Sequence, residues 1–322
     1  MLLARRLDLD CVAMQRQGIL PGYAPMQGQE AAQVGSGLAL DAGRDFAFPT
    51  YRELGVAVAM GVDLVGYTAS HQGSWHGGLY DPAASHFAPI NAVVGGPVPH
   101  AVGWAMGAQL NRTDACAIAY FGDGASSQGD VHEAMNFAGI YRLPVIFFCQ
   151  NNGWAISLPS ERQVAGGSVA ARAAGYGMPG VRIDGNDVLA VYRATRDAVE
   201  TARSGGGPTV IEAMTYRVGP HSTSDDPGRY RSLAEEQSWL ERDPLTRFAA
   251  RLRTEFGFAE VFFDEAGAAA DVVVQATRTA VTTLVVPPGG EMFDFVFSAP
   301  PAALLEQREA WQRETQTSQR EG

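Results

Sequence analysis

Residues 119–130 read "AYFGDGASSQGD": an apolar run, then a turn built on Gly122, Gly124 and Gly129, then the start of a segment with helical spacing. A strand that enters a glycine-rich turn and opens a helix is where open α/β sheets gather phosphates, because the free N–H groups of the helix point at the ligand. Asp123 stands between the first two glycines, where its charge repels a bare phosphate. Two readings fit an acid there. In one, Asp123 and Ser126 cap the following helix. In the other, Asp123 holds a divalent cation, which reverses the local electrostatics and lets a diphosphate bind beside a carboxylate.

Around this turn the pattern is regular. A small-residue helix is expected over 100–110, a strand over 115–121, a helix over 130–141 and a strand over 145–150; "GVRIDG" (180–185), a helix over 188–203 and "GPTVIEAMTYRV" (207–218) continue the alternation. Apolar runs separated by helices predict an α/β fold, a doubly wound parallel sheet covered on both faces. The expected organisation is an N-terminal helical segment (1–44, helical at 1–17 and 28–40), an α/β domain (45–231) and a helical C-terminal region (232–322). Residues 70–99 are rich in Gly and Pro and cannot form one regular element.

Composition narrows the function. With 35 acidic against 24 basic side chains, the net charge of -11 argues against a nucleic-acid surface. Cys11, Cys116 and Cys149 lie far apart, two of them in apolar runs, so reduced, buried thiols are expected rather than disulfides or a zinc site. No stretch approaches the roughly 18 uninterrupted apolar residues of a membrane span. An intracellular, cytoplasmic protein is expected.

The next strand bears on the acid. It ends in "CQNNGWAIS" (149–157), which places Asn152 at 152 minus 123, or 29, residues beyond Asp123. One strand–helix–strand unit has about that length. The two side chains can therefore converge on one ion with oxygen ligands, which is Mg²⁺ chemistry.

Gly122-Asp123-Gly124 followed by Asn151-Asn152 resembles the thiamine-diphosphate signature. The blocks "YFGDGASSQGDVHEAMNFAG" (120–139) and "FFCQNNGWAIS" (147–157) are similar to the alpha subunit of the decarboxylating component of a 2-oxoacid dehydrogenase complex. "DFAFPTYRELG" (45–55), "VRIDGNDVLAVY" (181–192) and "IEAMTYRVGPHSTSDDPGRYR" (211–231) look closest to the branched-chain (2-oxoisovalerate) type. The resemblance implies thiamine diphosphate and Mg²⁺ as cofactors, with Asp123, Asn152 and the Trp154 carbonyl as metal ligands. It further implies that Gly122, Gly124 and Ala125 line the diphosphate, that Tyr51 and Arg52 contact it, that Val94 supports the aminopyrimidine ring, and that His221 is the active-site histidine. For the other histidines, wet-loop positions are expected for His71, His76 and His86 and packed or capping ones for His100 and His132, with His76 and His132 as further pocket candidates.

Two positions depart from the branched-chain pattern. Gly96-Pro97 stand where those relatives carry polar residues around a potassium ion, in a form more like pyruvate-type subunits, and Gln150 replaces an arginine that touches diphosphate. The implied reaction is oxidative decarboxylation of a small branched-chain 2-oxoacid with acyl transfer to the lipoyl domain of a dihydrolipoamide transacylase. The implied assembly is an α₂β₂ heterotetramer, because the family's cofactor-activating glutamate lies on the beta subunit. The rivals are a pyruvate or acetoin dehydrogenase alpha subunit, a dinucleotide oxidoreductase, disfavoured because "GDGASSQG" lacks the third glycine of that motif, and a non-catalytic scaffold, disfavoured because Asp123, Asn152 and His221 are all present. The polar loop 219–231 has almost no apolar content, so it is expected to be mobile until a ligand orders it, with Asp225 or Asp226 pairing with Arg229 or Arg231.

Overall fold

Strand β2 (Ala117–Gly122) sends successive side chains into two different cores. Ile118 and Tyr120 face one, Ala117, Ala119 and Phe121 the other, as the two-residue period of a strand requires. In this computed structural model, which describes residues 1–73, 80–285 and 289–321, β2 lies inside a parallel sheet. Its companions are β1 (Phe46–Phe48), β3 (Val145–Asn151), β6 (Gly180–Asp184) and β7 (Thr209–Met214), in the order β1-β2-β3-β7-β6; β4 (Trp154–Ala155) and β5 (Leu158–Pro159) form a separate antiparallel hairpin. Every residue of β3 is buried, which marks the middle of a sheet covered on both sides.

The first core packs helices α1 (Leu2–Arg16), α2 (Glu30–Leu38), α3 (Leu54–Met60) and α4 (Leu64–Ala69) toward one face of the sheet. The short α5 (Pro82–Ser85) follows. The opposite face is covered by α6 (Pro97–Leu110) and α7 (Gly129–Tyr141), through Val98, Ala101, Val102 and Ala105 on one and Val131, Ala134, Met135 and Ala138 on the other. After the single-turn α8 (Ser160–Gln163), α9 (Val188–Arg203) returns to the first face with Val191, Ala198 and Val199. The fold is therefore the expected α/β arrangement with helices on both faces.

The C-terminal region is helical, with α10 (Leu233–Leu240), α11 (Pro244–Phe256), α12 (Glu260–Thr283) and α13 (Ala302–Glu321). Helix α12 lies along α1, where Arg278 pairs with Asp10 and Arg6 with Asp271, both at 2.5 Å. All three cysteines are free and buried. Among the described residues no helix is long and apolar enough to cross a membrane.

Two boundaries differ from expectation. The helix expected at 28–40 begins at Glu30, because Gly28 has φ +95° and a Cβ there would stand 2.2 Å from the Tyr216 carbonyl oxygen. The helix expected at 100 begins at Pro97, whose fixed φ suits a first helical turn that needs no N–H. Segment 70–99 carries α5 and the start of α6, and His76 lies outside the described residues.

Candidate active site

Three neighbouring strands, β2, β3 and β7, end at one edge of the sheet, and Asp123, Asn152 and Arg217 follow them. This carboxyl edge is where doubly wound sheets bind ligands. A cleft of about 290 Å³ opens there, and Tyr51, Arg52, Val94, Gly122, Asp123, Gly124, Ala125, Asn152, Trp154 and His221 all line it.

Asp123 is 1% exposed and its Oδ2 has no hydrogen-bond partner. It does not cap α7, whose N-cap is Gln128 without any side-chain bond. Ser126 instead donates from Oγ to the Asp123 carbonyl at 2.6 Å, closing the turn. Burial raises the carboxyl pKa to about 6, against the opposing pull of the Ser160 hydroxyl and the Arg217 charge. A buried acid with an idle oxygen is an unfinished site, since such groups are ordinarily paired or bound to a metal.

Adjacent strand residues point to opposite sides, and the two asparagines divide accordingly. Asn151 turns away and donates to Glu212 at 2.8 Å. Asn152 faces the cleft; its Oδ1 accepts from the Trp154 N–H at 3.2 Å and its Nδ2 donates to Gln29 at 3.3 Å. The Trp154 carbonyl accepts from Arg217 at 3.2 Å. Each of these oxygens keeps a second lone pair, so a carboxylate, an amide and a carbonyl together offer the hard oxygen ligands that Mg²⁺ takes. Among the described residues there is no cluster of three or more His, Cys, Asp or Glu suited to a metal. An ion here would complete its shell from a bound anion and water.

Arg52 is not a surface cation. It is 6% exposed, donating from Nη1 to the Pro25 carbonyl at 2.5 Å and from Nη2 to the His221 carbonyl at 2.9 Å and Nδ1 at 3.2 Å. Arg217 also approaches His221 Nδ1, at 3.4 Å. Two guanidinium donors fix Nδ1 as an acceptor, so the ring proton resides on Nε2. Burial first, then the charges of Arg52 and Arg217, lower the His221 pKa to about 4, and the imidazole is neutral at neutral pH. Tyr51 meets the same ring edge-on at 6.0 Å between centroids.

The 219–231 loop is anchored by contacts that its composition does not show. Arg231, 8% exposed, donates to the carbonyls of Arg217 and Val218, each at 2.5 Å, and pairs with Glu236 rather than Asp225 or Asp226. Asp225 accepts from the His221 N–H at 2.8 Å and from the Tyr230 hydroxyl at 2.5 Å, while Asp226 caps a short turn through the Gly228 N–H. A strap from the N-terminal segment binds the loop's other side: Tyr23 and Thr223 exchange two bonds, and Val218 N–H donates to the Gln27 carbonyl at 3.0 Å.

Sequence reasoning missed Arg217, Gln29 and Glu53. Arg217 is 1% exposed and donates to the Trp154 and Ile156 carbonyls and the Tyr230 hydroxyl; its place four residues before His221 was the available signal. Glu53 accepts from Gln150 at 2.6 Å and from the backbone and hydroxyl of Thr50, which fixes the Tyr51-Arg52 turn. Of the remaining histidines, His71 packs against the Tyr23 and Tyr67 rings, His86 contacts the Asp45 carbonyl, His100 is exposed and His132 bonds Tyr176; none of these lines the cleft.

Residues 1–266 match the family model described as "Dehydrogenase E1 component". The chain belongs to the dehydrogenase E1 component family. It is 45% identical over 309 residues to the "3-methyl-2-oxobutanoate dehydrogenase subunit alpha" of Mycobacterium tuberculosis (strain CDC 1551 / Oshkosh), covering 96% of this chain and 84% of that one. It is 40% identical over 316 residues to the "2-oxoisovalerate dehydrogenase subunit alpha" of Bacillus subtilis (strain 168), covering 94% and 92%. A "Pyruvate dehydrogenase E1 component subunit alpha" of Staphylococcus epidermidis is 41% identical over a shorter 256 residues, 79% and 69%. The E1 family is thiamine-diphosphate-dependent, and an E1 alpha chain works beside a beta subunit in a multienzyme complex.

Proposed function

We propose that this E1 alpha chain serves the oxidative decarboxylation of a branched-chain 2-oxoacid, with thiamine diphosphate and Mg²⁺ bound in the cleft at the ends of β2 and β3. The observation that carries this reading is the buried, half-unpartnered Asp123 in a cleft that Asn152 and Trp154 also line. Those three groups would hold the metal, Gly122, Gly124 and Ala125 would line the diphosphate, Tyr51 and Arg52 would contact it, and Val94 would support the aminopyrimidine. When bound, the thiazolium supplies the carbon nucleophile and the electron sink for loss of CO₂.

The chain's own groups do the positioning. Arg52 and Arg217 hold His221 neutral with its proton on Nε2, so the ring donates to charge that develops on the substrate oxygen and passes a proton during acyl transfer. Asp225 fixes the backbone at His221, which sets the direction of the ring. The other half of the site, including the acid that activates the cofactor, belongs on a beta subunit in an α₂β₂ assembly, and the acyl group leaves on a lipoyl domain of a transacylase.

The test is lipoyl acylation, with CO₂ release from the two oxoacids, by the chain reconstituted with its beta partner and offered 3-methyl-2-oxobutanoate, pyruvate and acetoin side by side. A kcat/KM highest for the branched acid is expected. Preference for pyruvate would favour the second reading, to which Gly96-Pro97 and the 41% identity with the pyruvate-type chain point.

A further inference from the structure

Ile156 is a cleft residue that neither metal nor anion binding explains. It begins the two-residue link between β4 and β5 and has φ +56°. In that region a β-branched side chain crowds its own backbone, and hairpins place glycine, asparagine or aspartate there. Among the described residues the other non-glycine positions with positive φ are His86, Arg112 and Arg142, unbranched at Cβ and located at helix ends. Among these positions Ile156 alone combines β-branching with this conformation.

Burial does not offset the strain, because the residue is 56% exposed, in a cleft it shares with Gly124 and His221. Its backbone is fixed from two sides. Arg217 Nη2 donates to the Ile156 carbonyl at 2.7 Å, and the preceding Ala155 sits so close to Gly124 that a Cβ on that glycine would lie 2.6 Å from the alanine Cβ. The same Arg217 guanidinium approaches His221 Nδ1. An aliphatic side chain is thus held, strained and uncovered, one guanidinium away from the imidazole. Val93 and Val94, 68% and 48% exposed, add apolar surface to the cleft. Strained residues persist where the surroundings over-determine them, and they cluster at ligand sites.

We propose that Ile156 is a specificity-determining residue whose side chain forms the apolar wall for the aliphatic side chain of the 2-oxoacid. The proposal rests on the reading of the cleft given above. It is tested in the reconstituted α/β complex with Ile156→Asn, which suits the left-handed backbone and removes the wall, and Ile156→Leu, which keeps an apolar side chain without β-branching. For Ile156→Asn the expected results are a melting temperature raised by about 2 °C, unchanged thiamine diphosphate affinity by calorimetry, and a ratio of kcat/KM for 3-methyl-2-oxobutanoate over pyruvate lowered by roughly tenfold or more. Ile156→Leu should retain most of that ratio. An unchanged ratio in Ile156→Asn overturns the proposal. So does an equal loss on both acids with weakened cofactor binding, which would place the apolar contact on the cofactor. A lower melting temperature for Ile156→Asn would remove the strain on which the argument depends. If the wild-type complex decarboxylates neither acid, the reading of the cleft fails and the proposal falls with it, whereas a working wild type with an indifferent variant isolates the failure to Ile156.

Discussion

At the scale of single residues, the site is governed by what burial does to two titratable groups. Asp123 has an oxygen without a hydrogen-bond partner and a carboxyl pKa that burial raises to about 6. Asp123→Asn is expected to leave the fold intact and to weaken Mg²⁺-dependent thiamine diphosphate binding by at least ~10-fold, since the neutral amide cannot offset the ion's charge. Calorimetric titration of the α/β complex checks this, and unchanged affinity would refute the metal assignment. His221 is displaced in the opposite direction, from its ordinary 6.5 to about 4. Between those values the unfolded chain takes a proton that the folded ring refuses, so the loop's stability falls as pH drops through that window. Above it the ring stays neutral. An NMR titration from pH 8 to 5 should therefore find no titration midpoint for His221, and a midpoint near 6.5 would contradict the guanidinium clamp. His221→Ala should lower acyl transfer to lipoyl groups at least roughly tenfold.

At the scale of elements, the decisive contact is the strap at 23–28 lying along 215–223. Gly28 makes it possible, because its φ of +95° and its approach to the Tyr216 carbonyl admit no side chain. Thr215 Oγ1 donates to the Gly28 carbonyl at 2.8 Å, and the bonds at Gln27 and Tyr23 continue the seam toward His221. Gly28→Ala should cost about 2 kcal/mol or more, from the positive φ together with overpacking. The same change should speed proteolytic cleavage within 219–231, because the strap holds that loop from one side. Urea unfolding and limited digestion measure the two effects; a destabilised variant whose loop is cut at the wild-type rate would separate strap from loop.

At the scale of the whole molecule, the proposed function makes this edge of the sheet one half of a composite site. The cleft gathers residues that suit a metal, an anion and a proton donor, all from one chain. Purified alone, this chain should release no CO₂ from any 2-oxoacid, and addition of the beta partner should create activity together with a particle of heterotetramer mass by light scattering. Robust turnover by the isolated chain would overturn the composite site.

The sequence by itself determined the sheet and the meeting of Asp123 with Asn152 at one end of the cleft. The two-residue alternation in β2 and β3 dictates which side chains enter each core, and glycine spacing with the 29-residue interval from Asp123 to Asn152 places both at one sheet edge, since these signals are local or span a single strand–helix–strand unit. Only the tertiary structure decided the rest. Gln29 and Glu53 carry no local pattern, and Arg217 offers only its place four residues before His221; each acquires its role through partners from other segments of the chain, as when Gln29 meets Asn152 or Glu53 meets Gln150. The anchoring of 219–231 is of the same kind. A loop with almost no apolar content looks free in sequence, yet Arg231 binds successive backbone carbonyls and the strap from the N-terminal segment supplies more, because backbone hydrogen bonds depend on where the chain passes rather than on which residues it contains.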